Sequence, residues 1–119
     1  MKFLGLTAAA LTLVATAGAT CHGDYTDELY DKNKAFQAAK DACNEFKGTF
    51  GSHKAKSHCK LGKDGKGYSI IVVHRGDGNR DLGYDECYDG VQKEIGGCSR
   101  GGYSYYDNWE YGVWVTKSC

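Results

Sequence analysis

Between Asn33 and Lys47 the apolar positions Phe36, Ala39, Cys43 and Phe46 return at intervals of three and four, alanines fill the gaps, and Gly48 and Gly51 follow. That spacing lays an apolar stripe along one side of a helix, and the glycines stop it. A second stripe of the same period, Tyr84, Cys87, Tyr88, Val91 and Ile95, ends at Gly96 and Gly97, with Asp81 ahead of it as the expected cap. Elsewhere the period falls to two. Residues 54–61 alternate weakly, LGKDGKG carries an Asp-Gly turn, and YSIIVVHR from Tyr68 to Arg75 is rich in β-branched residues, which predicts a hairpin. Tyr103 to Tyr106 and Trp109 to Lys117 flank a turn at Asp107 and Asn108 and predict a second. The order is therefore α-β-β-α-β-β. It implies an α+β fold with two helices packed on a four-stranded antiparallel sheet.

The N-terminus MKFLGLTAAALTLVATAGA has Lys2, an apolar run from Phe3 to about Val14, and small residues at its end. This is the layout of a secretory signal peptide, with Ala17 and Ala19 supplying the cleavage pattern, so residues 1–19 are expected to be removed and 20–119 to form one domain. Export changes the reading of cysteine. Cys21, Cys43, Cys59, Cys87, Cys98 and Cys119 all follow the leader, and no C-x-x-C pair marks a zinc site, so three disulfides are expected. Each helix carries a cysteine near its end and a later strand carries another. That repetition suggests Cys43 with Cys59, Cys98 with Cys119, and Cys21 with Cys87, one of fifteen connectivities.

Charge adds little. Acidic and basic residues balance at 15 each, which gives no whole-protein field toward nucleic acid or a membrane surface. Lys47, Lys54, Lys56, Lys60, Lys63 and Lys66 crowd one segment, and Asp77, Asp81, Asp85, Glu86, Asp89 and Glu94 the next; both runs read as solvated faces. No further apolar run spans a bilayer, so neither membrane insertion nor nucleic acid is expected, and the protein is expected outside the cell.

The run CYDGVQKEIGGCSRGG, Cys87 to Gly102, followed by an aromatic hairpin and a terminal cysteine, resembles the family of small secreted fungal glycan-binding proteins typified by the Y-three mushroom lectin. The resemblance implies a compact α/β sandwich, often a homodimer, that takes glycans or glycoproteins carrying N-acetylhexosamine and fucose, without catalysis or cofactor. The chain departs from the family in ending GVWVTKSC without a proline, and no ligand-binding residue carries over by motif.

The residues themselves point the same way. GGYSYYDNWEYGVW at 101–114 holds six of the fifteen aromatic residues. Strand alternation places Trp109, Tyr111, Val113 and Val115 on one face and Glu110, Gly112, Trp114 and Thr116 on the other; the first set reads as core. A pyranose needs a flat ring for its apolar face and polar groups that fork onto its hydroxyls. Arg100, Tyr106, Asp107, Asn108 and Trp114 offer that chemistry and form the candidate ligand site.

Other constellations are weaker. The string from Asp77 to Asp81 begins like a calcium loop, but its sixth position is Leu82 and its twelfth Tyr88, so the turn glycine and bidentate glutamate are missing. His53 and His58 lie in the lysine-rich segment and read as solvated. His74 and Arg75, with Glu110 across the sheet, suggest the layout of small secreted guanyl-specific ribonucleases. Such an enzyme needs a second histidine as acid, and here only His22, His53 or His58 is left to serve. The alternatives to a glycan-binding module are thus a secreted effector or toxin acting by protein contact and, second, a ribonuclease.

Overall fold

The structure, a computed structural model, describes residues 19–106 and 108–119; residues 1–18, which make up most of the expected leader at 1–19, and the candidate site residue Asp107 lie outside the described residues. Helix α1, Lys32–Phe46, starts where the Asp31 side chain accepts the Lys34 N–H at 3.2 Å, satisfying one of the free donors of the first turn. Its buried stripe is Ala35, Ala39, Ala42, Cys43 and Phe46. Helix α2, Tyr84–Gly96, has Asp85 and Glu86 in its first turn and Lys93 in its last, each sign complementing the helix dipole. Its cap is Gly83 and not Asp81. Asp81 belongs to a short strand, β5 (Arg80–Leu82), which pairs with β2 (Gly48–Phe50), and its Oδ1 accepts the Thr49 hydroxyl at 2.7 Å.

Among the described residues the main sheet is antiparallel and has five strands: β1 (Ala19–Cys21), β3 (Ala55–Leu61), β4 (Gly67–His74), β6 (Gly102–Tyr105) and β7 (Trp109–Thr116), in the order β1-β6-β7-β4-β3. The four strands expected from alternation are β3, β4, β6 and β7. The expected four-stranded sheet is thus widened by β1 and accompanied by the β2–β5 ribbon. Each added strand has three residues, too few for a period of two to show in the sequence.

Both helices lie on one side of this sheet. Against them β4 buries Tyr68, Ile70, Val72 and His74, and β7 buries Trp109, Tyr111, Val113 and Val115. Trp109 stands edge-on to Phe50 at 5.0 Å and beside His74 at 5.2 Å. Gly90 sets the spacing of α2 from the sheet, because a Cβ there would overlap the Tyr111 ring. Burial raises the Tyr111 phenol well above its usual range and brings that of Tyr68 to about 12.

The disulfides join Cys21 to Cys98, Cys43 to Cys87 and Cys59 to Cys119, so the expected pairing by helix and following strand is wrong. Strand alternation explains why. On β3, His58 faces the helices, where it bonds Glu45 of α1 at 2.9 Å, so its neighbour Cys59 points to the opposite side and cannot reach Cys43. Cys43 lies on the α1 stripe that meets α2, and its partner is the fully buried Cys87 of that helix. The ladder sets Thr116 opposite Gly67 and Gly67 opposite Leu61, which carries the C-terminal cysteine to β3. No helix among the described residues is long and apolar enough to cross a membrane.

Candidate functional site

The side of the sheet away from the helices is lined by the other half of each strand. Across its middle runs the row Ser57, Ile71, Gly112 and Tyr103, one residue from each of β3, β4, β7 and β6. Neighbouring rows set Val73 beside Glu110 and Tyr105, and Ser69 beside Trp114. Gly112 contributes no side chain, so the row is interrupted at its centre. The result is a depression of about 330 Å³ walled by Ile71, Tyr103, Tyr105, Glu110 and Trp114, with His22 at its rim. A Cβ at Gly112 would stand 3.1 Å from Ile71 Cγ2 and 3.5 Å from Trp114 Cζ3. The six-membered ring of the half-buried Trp114 indole therefore borders the space that a side chain at Gly112 would fill.

The polar groups are held at the edges. Arg75 Nη1 donates to Glu110 Oε1 at 3.0 Å while its guanidinium sits 4.5 Å above the Tyr105 ring. Tyr103 and Tyr105 meet edge-on at 5.5 Å. His22 Nδ1 bonds the Tyr25 hydroxyl at 3.1 Å, and its ring lies 5.9 Å from Tyr103 and 6.5 Å from Trp114. Ser104, between the two tyrosines, points into the core, where it lies beside Glu94 of α2. Neither the hydroxyl nor the carboxylate oxygens find a hydrogen bond, and burial raises the Glu94 carboxyl above its ordinary range.

Of the residues singled out from sequence, the four that are described, Arg100, Tyr106, Asn108 and Trp114, are not brought together in one place. Trp114 is on the open face. Tyr106 is on the helix side, its ring 5.7 Å from Tyr111 and its hydroxyl accepting from Lys93 Nζ at 3.3 Å. Consecutive residues of an extended segment face opposite ways, so Tyr105 and Tyr106 cannot share a surface. Arg100 binds back to the segment between β1 and α1, donating to the Thr26 carbonyl and lying 3.8 Å from Asp24 and 4.0 Å from Glu28. The Asn108 carbonyl accepts the Arg75 N–H at 2.7 Å, which holds the strand end rather than a ligand. Sequence reasoning missed Gly112 as the floor and Ile71 as a wall. A glycine on the tryptophan-bearing face of a strand, opposite a tyrosine, was the signal available.

The histidines also separate. His53 bonds Asp77 at 2.8 Å, and His74 bonds the Gly51 carbonyl at 2.9 Å within the core. Only His22 shares the face of Arg75 and Glu110, and it is paired by its N–H to Gly101, beside Trp114. Glu110 is four residues along β7 from that level and two strands across, roughly 14 Å by 10 Å of backbone. They occupy opposite ends of the depression.

No protein-family model matches this chain, and comparison with curated proteins finds no match.

Proposed function

We propose that the chain is an exported, disulfide-bridged glycan-binding protein without catalytic activity, and that the open aromatic face of the sheet is its sugar platform. The observation that carries this reading is the depression at Gly112, bounded by the indole of Trp114 and the ring of Tyr103. A pyranose stacks its C–H face on such rings and offers its hydroxyls outward. Here Glu110 is an acceptor and Arg75 a donor, held at fixed positions by their mutual ion pair. Glycans with an N-acetylhexosamine suit the site, since the acetamide methyl adds an apolar group for the Ile71 wall.

A shallow single-sugar site of this kind binds near millimolar, about −4 kcal/mol, so useful strength comes from clustered ligands or from a homodimer. The test is a dense glycan array probed with the oxidised protein, with free sugar as competitor. Sugar-specific, competable signal supports the reading. Silence across a broad array, with the three disulfides verified, would move the assignment to an effector or toxin that uses the same aromatic face for protein contact. The spacing of His22 and Glu110 argues against a ribonuclease, whose acid and base must meet on one phosphodiester.

A further inference from the structure

Each helix lines a cleft with the same stripe of positions. On α1 these are Lys34, Gln37, Ala38 and Asp41; on α2, Glu86, Asp89, Gly90 and Lys93. In both stripes the spacing is i, i+3, i+4 and i+7, and each faces its own hairpin. The charges differ. The α2 cleft carries two carboxylates and a lysine that lies 5.1 Å from the Tyr106 ring. The α1 cleft adds Lys60 and Lys66 to Lys34, and its one carboxylate, Asp41, already accepts from Gln37 Nε2 at 3.1 Å. Among the described residues the lysine that lies within ion-pair distance of a carboxylate is Lys117, which pairs with Asp27 and not with a residue lining this cleft. Three ammonium groups thus line one cleft, none of them within ion-pair distance of a carboxylate, while Asp41 and the neighbouring Asp64, which accepts the Lys66 backbone N–H at 3.1 Å, are engaged by amide N–H groups.

The same cleft holds a fixed aromatic surface. Tyr30, 39% exposed, is stacked on the buried Tyr68 at 5.2 Å with only 14° between the planes. Tyr68 cannot swing, because its hydroxyl accepts from the Asp31 N–H at 3.0 Å and donates to the Asp31 carbonyl at 2.8 Å. The Tyr30 hydroxyl donates to the Lys66 carbonyl at 3.4 Å, and the ammonium of Lys66 lies 5.5 Å from the Tyr30 ring. The flat ring and the nearest cation are tied to one turn. With a volume of about 190 Å³, the cleft is below the range of drug-sized pockets and fits one small ring.

From this juxtaposition we propose a second binding site, between α1 and the β3–β4 hairpin, for a single anionic sugar residue such as a uronate. Its ring stacks on Tyr30 and its carboxylate lies among Lys34, Lys60 and Lys66. The choice of a sugar rests on the glycan reading above; the choice of an anion rests on the lysines alone. Such a site makes the protein selective for glycans that pair a neutral sugar with an acidic one.

The test is an NMR titration of the full oxidised protein with glucuronate, and separately with its methyl ester, glucose and inorganic sulfate. The expected result is saturable, millimolar binding of glucuronate that perturbs Tyr30 and Leu61. It weakens at high salt, and Lys60→Gln with Lys66→Gln lowers it by about tenfold or more. Trp114→Ala leaves it intact, so loss of the open-face site and loss of this one read out separately. Equal binding of the methyl ester or glucose, equal binding of sulfate, or unchanged glucuronate affinity in the lysine variant would each overturn the proposal, as would the absence of saturable shifts.

Discussion

Trp109 and Trp114 stand five positions apart on one strand and face opposite sides of the sheet. Trp109 is 3% exposed against Phe50 and His74, whereas Trp114 lies half-buried beside Gly112 on the side of the sheet away from α1 and α2. The two should therefore fail differently. Trp109→Ala is expected to cost about 3 to 5 kcal/mol, as large-to-small core changes do, and Trp114→Ala about 1 kcal/mol or less. Urea unfolding with the disulfides intact measures both. Equal losses would mean that the hairpin is packed on its two faces alike.

Gly112 gives the complementary test. Gly112→Val fills the depression from below, and its Cβ meets the side chains of Ile71 at 3.1 Å, Trp114 at 3.5 Å and Tyr103 at 4.0 Å and no backbone atom among these nearest contacts, so the fold should survive while sugar signal disappears. Gly90→Ala pushes a methyl into the Tyr111 ring and is expected to lower stability by about 2 kcal/mol or more. Thermal midpoints of the two variants should rank accordingly; a folded Gly112→Val protein that still binds sugar would remove the depression from the account.

Non-reducing peptide mapping should recover Cys21 with Cys98, Cys43 with Cys87, and Cys59 with Cys119. The Cys43–Cys87 bridge joins the two helices across a separation of 44 residues. In the chain-entropy account its removal by paired alanine substitution costs about 4 kcal/mol, a large share of a small domain's stability. Recovery of Cys43 linked to Cys59 would contradict the facing of β3 described above.

Glu94 makes stability depend on pH in a direction opposite to most carboxylates. Burial raises its folded pKa above the ordinary 4.5, so the stability tied to its protonated form is complete below that value. It is lost as pH rises through the folded pKa. Glu94→Gln keeps the shape, cannot ionise, and should flatten this part of the pH profile while raising the thermal midpoint at neutral pH by a few degrees, roughly 4 to 8 °C per kcal/mol. A midpoint that falls at pH 7 with an unchanged profile would show that the carboxylate is held charged. Tyr68 acts in the same sense at high pH, its stabilising protonated form being lost from about 10 toward about 12.

Much of this architecture was legible as periodicity. The stripe ending at Phe46, the stripe ending at Ile95 and the alternation from Trp109 to Val115 each matched a buried face, because long elements average out local exceptions. What failed was local or three-dimensional. Asp81 looked like a helix cap, since a capping residue and a short strand residue bonded to Thr49 have the same sequence signature. The cysteine pairing depended on which side of β3 Cys59 faces, and weak alternation in residues 54–61 left that side unmarked. The candidate site fared similarly: Trp114 fell where alternation put it, but Tyr106, Arg100 and Asn108 were grouped with it by nearness in sequence. Turn residues one position apart point to different faces, and nearness along the chain does not carry across a sheet.

The open face, and not the turn on the helix side, is expected to take the sugar. A dense glycan array run in parallel on the parent protein, Trp114→Ala and Tyr106→Ala tests it most directly, with circular dichroism confirming that each is folded. Competable glycan signal is expected for the parent and Tyr106→Ala, and its loss in Trp114→Ala. Signal that survives in Trp114→Ala and vanishes in Tyr106→Ala would contradict it.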